Sequence, residues 1–324
     1  MTVKLGLIGA GGIARAHLKN IDALTDRVKL VAVADVAAER AKTEAEPRGA
    51  TAYASADELL AQSDAEAVLV CIPPFAHEDL EERIAKAGKH VMVEKPVGLD
   101  LARAQANAKA LENAKVVAAG AYHFRHVDGV EKARAALAGK KISLVKGQWI
   151  GGCPGAPWWR VKAQSGGQHF EQTTHMFDLA RYLVGEVATV AAVKYAGGIL
   201  TGVMENYDVE EATCAQLVFA NGAIGTIESA NVVKKGGGVS LTVFAQGLTV
   251  QVGGGAVSLL TPDGDERVEG GADPKRAELV AFLDAIEKND PSAVRSTFSD
   301  AVKSLALTAA IDRALASGAR ETVG

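Results

Sequence analysis

Cysteine is scarce in this chain, with only Cys71, Cys153 and Cys214 among 324 residues. Three scattered thiols build neither a disulfide framework nor a four-ligand structural zinc site. No apolar run approaches the ~20 residues that a membrane-spanning helix needs. No basic block or aromatic-interleaved basic stripe occurs, and 35 basic residues face 39 acidic ones, so nucleic acid is a poor partner. There is no internal repeat and no low-complexity linker. The opening MTVKLGLIGAGG carries one lysine and a glycine cluster, which reads as a first strand and not as a signal peptide. A cytoplasmic protein is the expectation. What is present is ordinary for a packed interior, 48% hydrophobic and 23% charged residues, which excludes a disordered scaffold. The length is about twice the commonest single-domain size and predicts two domains.

In the first half, short apolar runs alternate with helical patterns. Runs at 3–8, 28–34, 67–72, 90–94 and 116–121 lack polar alternation, and helical patterns follow them at about 13–24, 55–62, 77–87 and 100–113. Strands of that kind lie in a parallel sheet covered on both faces, a doubly wound α/β Rossmann-type domain ending at residue 121. The texture then changes. Runs at 142–150, 187–195, 212–219, 223–231, 240–245 and 248–252 read as strands, and Asn221-Gly222 is a hairpin signal. Helices are expected at 174–183, 274–288 and 299–315. This order predicts an α+β domain over 122–298, built on a large, mostly antiparallel open sheet, and a final helical segment, 299–324.

Gly9-Ala10-Gly11-Gly12-Ile13-Ala14 follows the first strand and opens the first helix, with spacing G-x-G-x-x-A. Gly9 permits the tight turn, Gly11 lets backbone approach a pyrophosphate, and Gly12-Ile13 begin the helix whose N-terminus would hold it. Asp35 closes the second strand, 24 residues after Gly11. A carboxylate there accepts hydrogen bonds from an adenosine ribose and repels a 2′-phosphate, which favours NAD over NADP. Arg40, five residues on, works against that preference. Ligands in such folds sit at the carboxyl ends of the strands. Pro73-Pro74 and His77 leave one such end, and His77 reads either as a cofactor neighbour or as the start of a solvated helix. Glu94-Lys95-Pro96 leaves the next. A lysine there can point its ammonium into a cleft and favour a developing alkoxide; Glu94 can pair with it or with a cofactor ribose.

A second constellation lies at 166–178, where Glu171, His175 and Asp178 are spaced i, i+4 and i+7. They share one stripe if a helix starts by residue 171, whereas Glu171 lies on the approach turn if it starts at Thr174. A histidine between two carboxylates suits general acid/base work, and a satisfied helix histidine is the plainer alternative. His123, His126, His169 and His175 lack the carboxylate or thiolate companions of a standard ligand set, so no catalytic metal is expected. Trp158-Trp159 either pack on the apolar face of a sugar ring or simply close a buried loop.

Together, Gly9–Ala14, Pro73-Pro74, Glu94-Lys95-Pro96, Gly120–Arg125 and the His175 segment resemble the Gfo/Idh/MocA family of nicotinamide-dependent sugar and cyclitol oxidoreductases, over almost the whole chain. The resemblance implies that Lys95 and His175 form the reaction centre, with His175 transferring the proton. It places Glu171 where the family usually has an aspartate; a subset carries this Glu-Gln-x-x-His form with paired tryptophans upstream. Arg125, Trp158, Trp159 and Asp178 are then expected to line the substrate pocket. The implied reaction is hydride transfer between NAD and a secondary hydroxyl of a sugar, sugar derivative or cyclitol. A redox-neutral NAD-dependent glycoside-cleaving enzyme and a catalytically silent nucleotide-binding regulator are the alternatives. The family also implies a homodimer or homotetramer formed through the open sheet face, and a last helix that returns to the nucleotide domain.

Overall fold

The computed structural model describes residues 2–324. It divides into two compact units: the chain to Tyr122 with Lys275–Val302, and His123–Pro274 with Lys303–Gly324. In the first, strands β1 (Val3–Ile8), β2 (Val28–Ala34), β3 (Thr51–Tyr53), β4 (Ala67–Val70), β5 (His90–Glu94) and β6 (Ala118–Ala121) form one parallel sheet in the order β3-β2-β1-β4-β5-β6. Helices α1 (Gly12–Asp22), α2 (Ala38–Ala45), α3 (Ala56–Gln62), α4 (Leu80–Lys86) and α5 (Leu101–Ala114) connect them. Apart from Lys4, Lys29 and the ends of β5 the longer strands are apolar because both faces are covered, and Leu5, Leu7, Val33, Leu69 and Met92 are buried in one core. Local capping agrees with the pattern. Ser55 Oγ accepts from the Glu58 amide at 3.1 Å, the Glu58 carboxylate accepts from the Ala54 amide, and Asp100 caps α5. Strand order reverses between β1 and β4, and in such sheets the crevice at that reversal, outside the carboxyl ends, is where ligands bind.

The second unit contains a nine-stranded sheet. Its strands are β7 (Ile142–Ile150), β8 (Val187–Tyr195), β9 (Ala212–Phe219), β10 (Ile224–Ala230), β11 (Gly238–Ala245), β12 (Leu248–Gly253), β13 (Ala256–Thr261), β14 (Gly264–Glu269) and β15 (Glu321–Thr322). The order is β14-β13-β12-β11-β7-β10-β9-β8-β15, antiparallel except for the β7–β10 pair. The Asn221-Gly222 hairpin joins β9 to β10, with Gly222 at φ +87°. Helices α6 (Val130–Leu137), α7 (Lys162–Ser165), α8 (Gln168–Glu171) and α9 (Thr174–Val184) complete this part. Phe177, Leu179 and Ala180 of α9 share a core with Val145, Leu217, Ile227 and Val243 of the sheet. Strands β13 and β14 were not expected from the sequence: β13 is a short apolar run buried over four residues, and β14 is almost wholly exposed and carries no alternating apolar signature.

The second boundary differs from the sequence expectation. Helix α10 (Pro274–Lys288) groups with the first unit, because Leu279, Phe282, Leu283 and Ala285 are buried in the core of the parallel sheet. Arg27 fastens it from the other side, 2.7 Å from both Asp284 and Glu287. Helix α11 (Phe298–Ser317) is divided: residues to Val302 group with the first unit, and Leu307, Ala310, Ile311 and Ala314 belong to the second core. Replacing Phe282 by alanine is therefore expected to cost about 3–5 kcal/mol of stability in the unit that carries the Gly9–Ala14 loop. Denaturant unfolding with and without NAD measures it; a loss below about 1 kcal/mol would remove α10 from that core.

Candidate functional site

At the carboxyl end of β1, Gly9 adopts φ +90°, and a Cβ there would stand 2.4 Å from the Cys71 carbonyl oxygen. Only glycine lets β1 turn against β4 this closely. Around Gly11 and Gly12, by contrast, a Cβ would meet no atom within 4 Å, and the first turn of α1 carries no side-chain cap. That leaves an open cradle at a helix N-terminus, which fits a dinucleotide pyrophosphate. Ala14 is buried where the helix meets the sheet. Asp35 is nearly buried and accepts from the Ala10 amide at 2.8 Å and the Ala37 amide at 2.7 Å. Its carboxylate thus shapes the glycine loop as well as facing the crevice, and Arg40 stands 3.3 Å away. Ile13 and Phe75 are partly exposed and Val36 is almost fully exposed, three apolar side chains beyond the ends of β1, β4 and β2. Exposed apolar groups at strand ends suit the flat rings of a nicotinamide dinucleotide.

The other expected cofactor residues divide. Pro73 is part-exposed and Pro74 buried. His77 is interior, not the start of a solvated helix: its Nδ1 lies 2.6 Å from Glu81, which also accepts from Asn107. Glu94 is turned inward as well. Its Oε1 lies 2.7 Å from His17 Nε2 and its Oε2 accepts from the Lys95 amide at 3.1 Å, so its carboxylate is committed within the fold and not to a ribose. Lys95 remains part-exposed at the strand end. Among the described residues, His17, Glu94 and Glu278 form one buried group with metal-ligand chemistry. Ligands about 2.1 Å from a tetrahedral zinc stand roughly 3.4 Å apart; the His17–Glu94 separation is that of a hydrogen bond. Burial, reinforced by Glu94 and Glu278, pushes the Cys71 thiol up, so it stays protonated and inert.

In the second unit, two breaks in the chain set the geometry of the histidine. Gln168 Nε2 donates to the carbonyls of Trp149 and Ala230, both at 3.1 Å, and pins α8 across the parallel β7–β10 pair. Ser229 Oγ and Thr173 Oγ1 lie 2.8 Å apart and fix the step from α8 to α9. Helix α9 therefore starts at Thr174, and Glu171 lies before it as the last residue of the single-turn helix α8, which forms the approach turn. His175 lies in the first turn of α9 among aromatic rings: His123 at 4.4 Å edge-on, Phe124 at 5.2 Å and Trp149 stacked at 5.7 Å. The sequence reading weighed His123 only for a metal and did not place it, Phe124 or Trp149 around His175, because their approach depends on β7 and the turn 123–126 coming together. Glu171 Oε2 accepts from the Trp159 indole at 3.0 Å.

Three residues expected in the substrate pocket have other work. Arg125 and Asp178 form a buried two-point pair, at 2.7 and 2.6 Å, and Ser304 Oγ adds a third bond to Asp178 at 2.7 Å. Neither side chain offers a face to a ligand, and Asp178 does not hold the His175 ring. Trp159 is buried against Tyr207 and Val209, so its ring faces are covered by protein; Trp158 stays part-exposed. His169 is fully buried beside Asp312, Lys162 and Glu210. Burial pushes its imidazole below the ordinary range despite the contact with Asp312, so it is neutral at pH 7. Burial pushes Asp312 and Glu210 up, but Lys162 and His169 outweigh it and leave both carboxyls below their usual range.

Comparison with known proteins agrees with this architecture. Residues 3–122 match the model described as "Oxidoreductase family, NAD-binding Rossmann fold", and residues 130–250 match the GFO/IDH/MocA C-terminal domain. Inositol 2-dehydrogenase of Rhizobium meliloti is 36% identical over 198 residues, 60% of this chain and 59% of the relative. Myo-inositol 2-dehydrogenase of Thermotoga maritima is 29% identical over 309 residues, 90% of each chain. The solved structure of a levoglucosan dehydrogenase with NADH covers all of both chains at a TM-score of 0.90 and 20% identity, a likeness of fold. Among the described residues, no helix is long and apolar enough to cross a membrane.

Two expectations follow. Asp35→Ser removes the acceptor of two loop amides and the charge that disfavours a 2′-phosphate, so the ratio of NADP to NAD dissociation constants should fall at least tenfold. Fluorescence titration with both cofactors measures it, and an unchanged ratio would take Asp35 out of cofactor choice. The second concerns acid. Unfolded histidine titrates near about 6.5; His169, and His90 through burial, titrate lower in the fold. Their contribution is complete above that value and falls as pH drops through the folded values, because the unfolded chain takes the proton first. His169→Asn should flatten the fall of stability below about pH 6.5, measured by denaturant midpoints; an unaltered slope would contradict it.

Proposed function

The chain belongs to the GFO/IDH/MocA oxidoreductase family, and from that premise we propose that it transfers hydride between NAD and a secondary hydroxyl of a sugar, sugar derivative or cyclitol. The observation that carries this reading is the setting of His175: a helix-start imidazole enclosed by aromatic rings, with the Glu171 carboxylate fixed on the approach turn. Held at the Gly9–Ala14 cradle beside Asp35, NAD would supply the hydride acceptor. The hydroxyl proton must then leave separately, because a protonated carbonyl is costly in a dry site. His175 takes that proton, and the Lys95 ammonium favours alkoxide character on the reacting oxygen. Glu171 accepts from a neighbouring hydroxyl and orients the ring of the substrate. Arg125 is committed to Asp178 and presents no fork to a phosphate or carboxylate, which favours an uncharged polyol. The inositol dehydrogenases among the relatives support the cyclitol end of the class. Self-association belongs to the same reading; Val193 and Tyr195 of β8 and Ile224 of β10 are exposed apolar side chains on the large sheet.

His175→Ala is expected to keep NAD affinity and lose roughly 10²–10⁴ in turnover, the scale of a positioned acid/base group. Lys95→Ala should slow turnover severely and weaken polyol binding. Pre-steady-state hydride transfer across pH, followed by nicotinamide absorbance, separates chemistry from product release. Parental rates and an unchanged pH profile in the His175 variant would transfer the role of base to Lys95.

A further inference from the structure

The segment between β8 and β9 has no secondary structure of its own and is rich in glycine, yet it is tightly held at one point. Glu211 is fully buried, and its carboxylate accepts from three successive amides, those of Ile199, Leu200 and Thr201, at 2.6–3.2 Å. Burial pushes the Glu211 carboxyl up, but these bonds outweigh it and leave it below its usual range. The loop so pinned returns over the tryptophan segment. Leu200 and Met204 pack against the cluster of Trp159, Tyr207 and Val209. The Asp208 amide donates to the Arg160 carbonyl, and the Tyr207 hydroxyl donates to Asn231 at 2.8 Å. Trp159, clamped in this way, gives its one N–H to Glu171.

We propose that the Glu211-pinned loop 196–210 is a specificity-determining element for the polyol, acting through the Trp159 indole, which positions the Glu171 carboxylate. The proposal rests on the function proposed above. The glutamate side chain is longer than the family's usual aspartate at this position and has one more rotatable bond. A single directional N–H from a buried, immobile ring removes that freedom, and a bond to a charged acceptor is strong enough to do so. Trp159 and Glu211 are thus positioning residues, and the loop has its effect without touching the reacting atoms.

Trp159→Phe keeps the packed ring and removes only the N–H. With the parent's preferred polyol, KM is expected to rise about 10-fold, more than kcat falls, with NAD affinity unchanged; a lost hydrogen bond to a charged group gives an effect of this order. In a Glu171→Ala background, which leaves the indole no side-chain acceptor at that position, the same change should add less than about twofold, because the interaction it removes is already gone. An equal effect in both backgrounds would overturn the coupling. Glu211→Ala should reproduce the KM rise, and hydrogen exchange should quicken over both 196–206 and 157–171. Faster exchange confined to 196–206 would overturn the proposal even if no substrate were found. A parent that oxidises no sugar or cyclitol across a broad panel refutes the functional reading instead, and leaves the exchange experiment to decide the loop's role.

Discussion

The buried pair of Arg125 and Asp178 fixes the frame in which the second unit's histidine stands. Asp178 lies one helical turn beyond His175 on α9, and Arg125 lies two residues after His123 in the turn that borders the His175 ring. One two-point ion pair therefore sets the distance between the helix and the turn. Ser304 on α11 extends it, since its hydroxyl meets Asp178 and also accepts from Arg181 at 2.6 Å. The Arg125 guanidinium also lies 4.6 Å from the centre of the Tyr182 ring. A pair this deep is not in itself strong evidence of stability, because desolvation offsets much of its attraction. What it supplies is geometry: loss of either partner leaves an uncompensated buried charge, a cost of about 3–5 kcal/mol.

The first unit reaches the same end by backbone. Gly9 has no side chain because the Cys71 carbonyl occupies its place, and Asp35 draws one amide after β1 and one after β2 toward a single carboxylate. The chain's own groups thus hold the loop, which lowers the ordering cost of binding a dinucleotide there. Lys95 is treated likewise. Its own amide is held by Glu94, which is held by His17, so the strand end is rigid up to the backbone that carries the ammonium.

Much of this was legible in the sequence, and the failures have a common cause. Strands β1, β2, β5, β7, β8 and β9 and helix α10 have the ranges their patterns predicted, because continuous or alternating burial leaves a direct periodic signal. The Gly9–Ala14 loop and Asp35 were readable because a turn of that kind admits few residues. Arg125 and Asp178 were expected in the substrate pocket, Glu94 was left between Lys95 and a cofactor ribose, and Trp159 between a sugar face and a buried loop. Their types suit a ligand, but spacing along the chain does not show that Arg125 and Asp178, 53 residues apart, satisfy each other. The same limit hid Glu211, which in sequence is one of two adjacent acids before a strand. Helix α10 was recognised as a helix and assigned to the wrong unit, because periodicity gives the apolar face and not its partner.

A single device recurs where this protein must hold irregular chain in place: a carboxylate accepting two or more backbone amides. Asp35 does this for Ala10 and Ala37, Glu211 for residues 199–201, and Asp128 for Gly271 and Ala272. Charge-assisted bonds of this kind favour the ionised form. The Asp128 carboxyl lies below its usual range through its two amides, and Glu211 through three that outweigh its burial. A folded pKa below the unfolded one gives stability that is present above the ordinary carboxylate range and lost as pH falls through the lower folded value. These two loops accordingly keep their anchors well into acid, past the point at which an unfolded histidine has taken its proton. Mild acid that charges an unfolded imidazole therefore leaves the chain anchored by Glu211 and Asp128 in place.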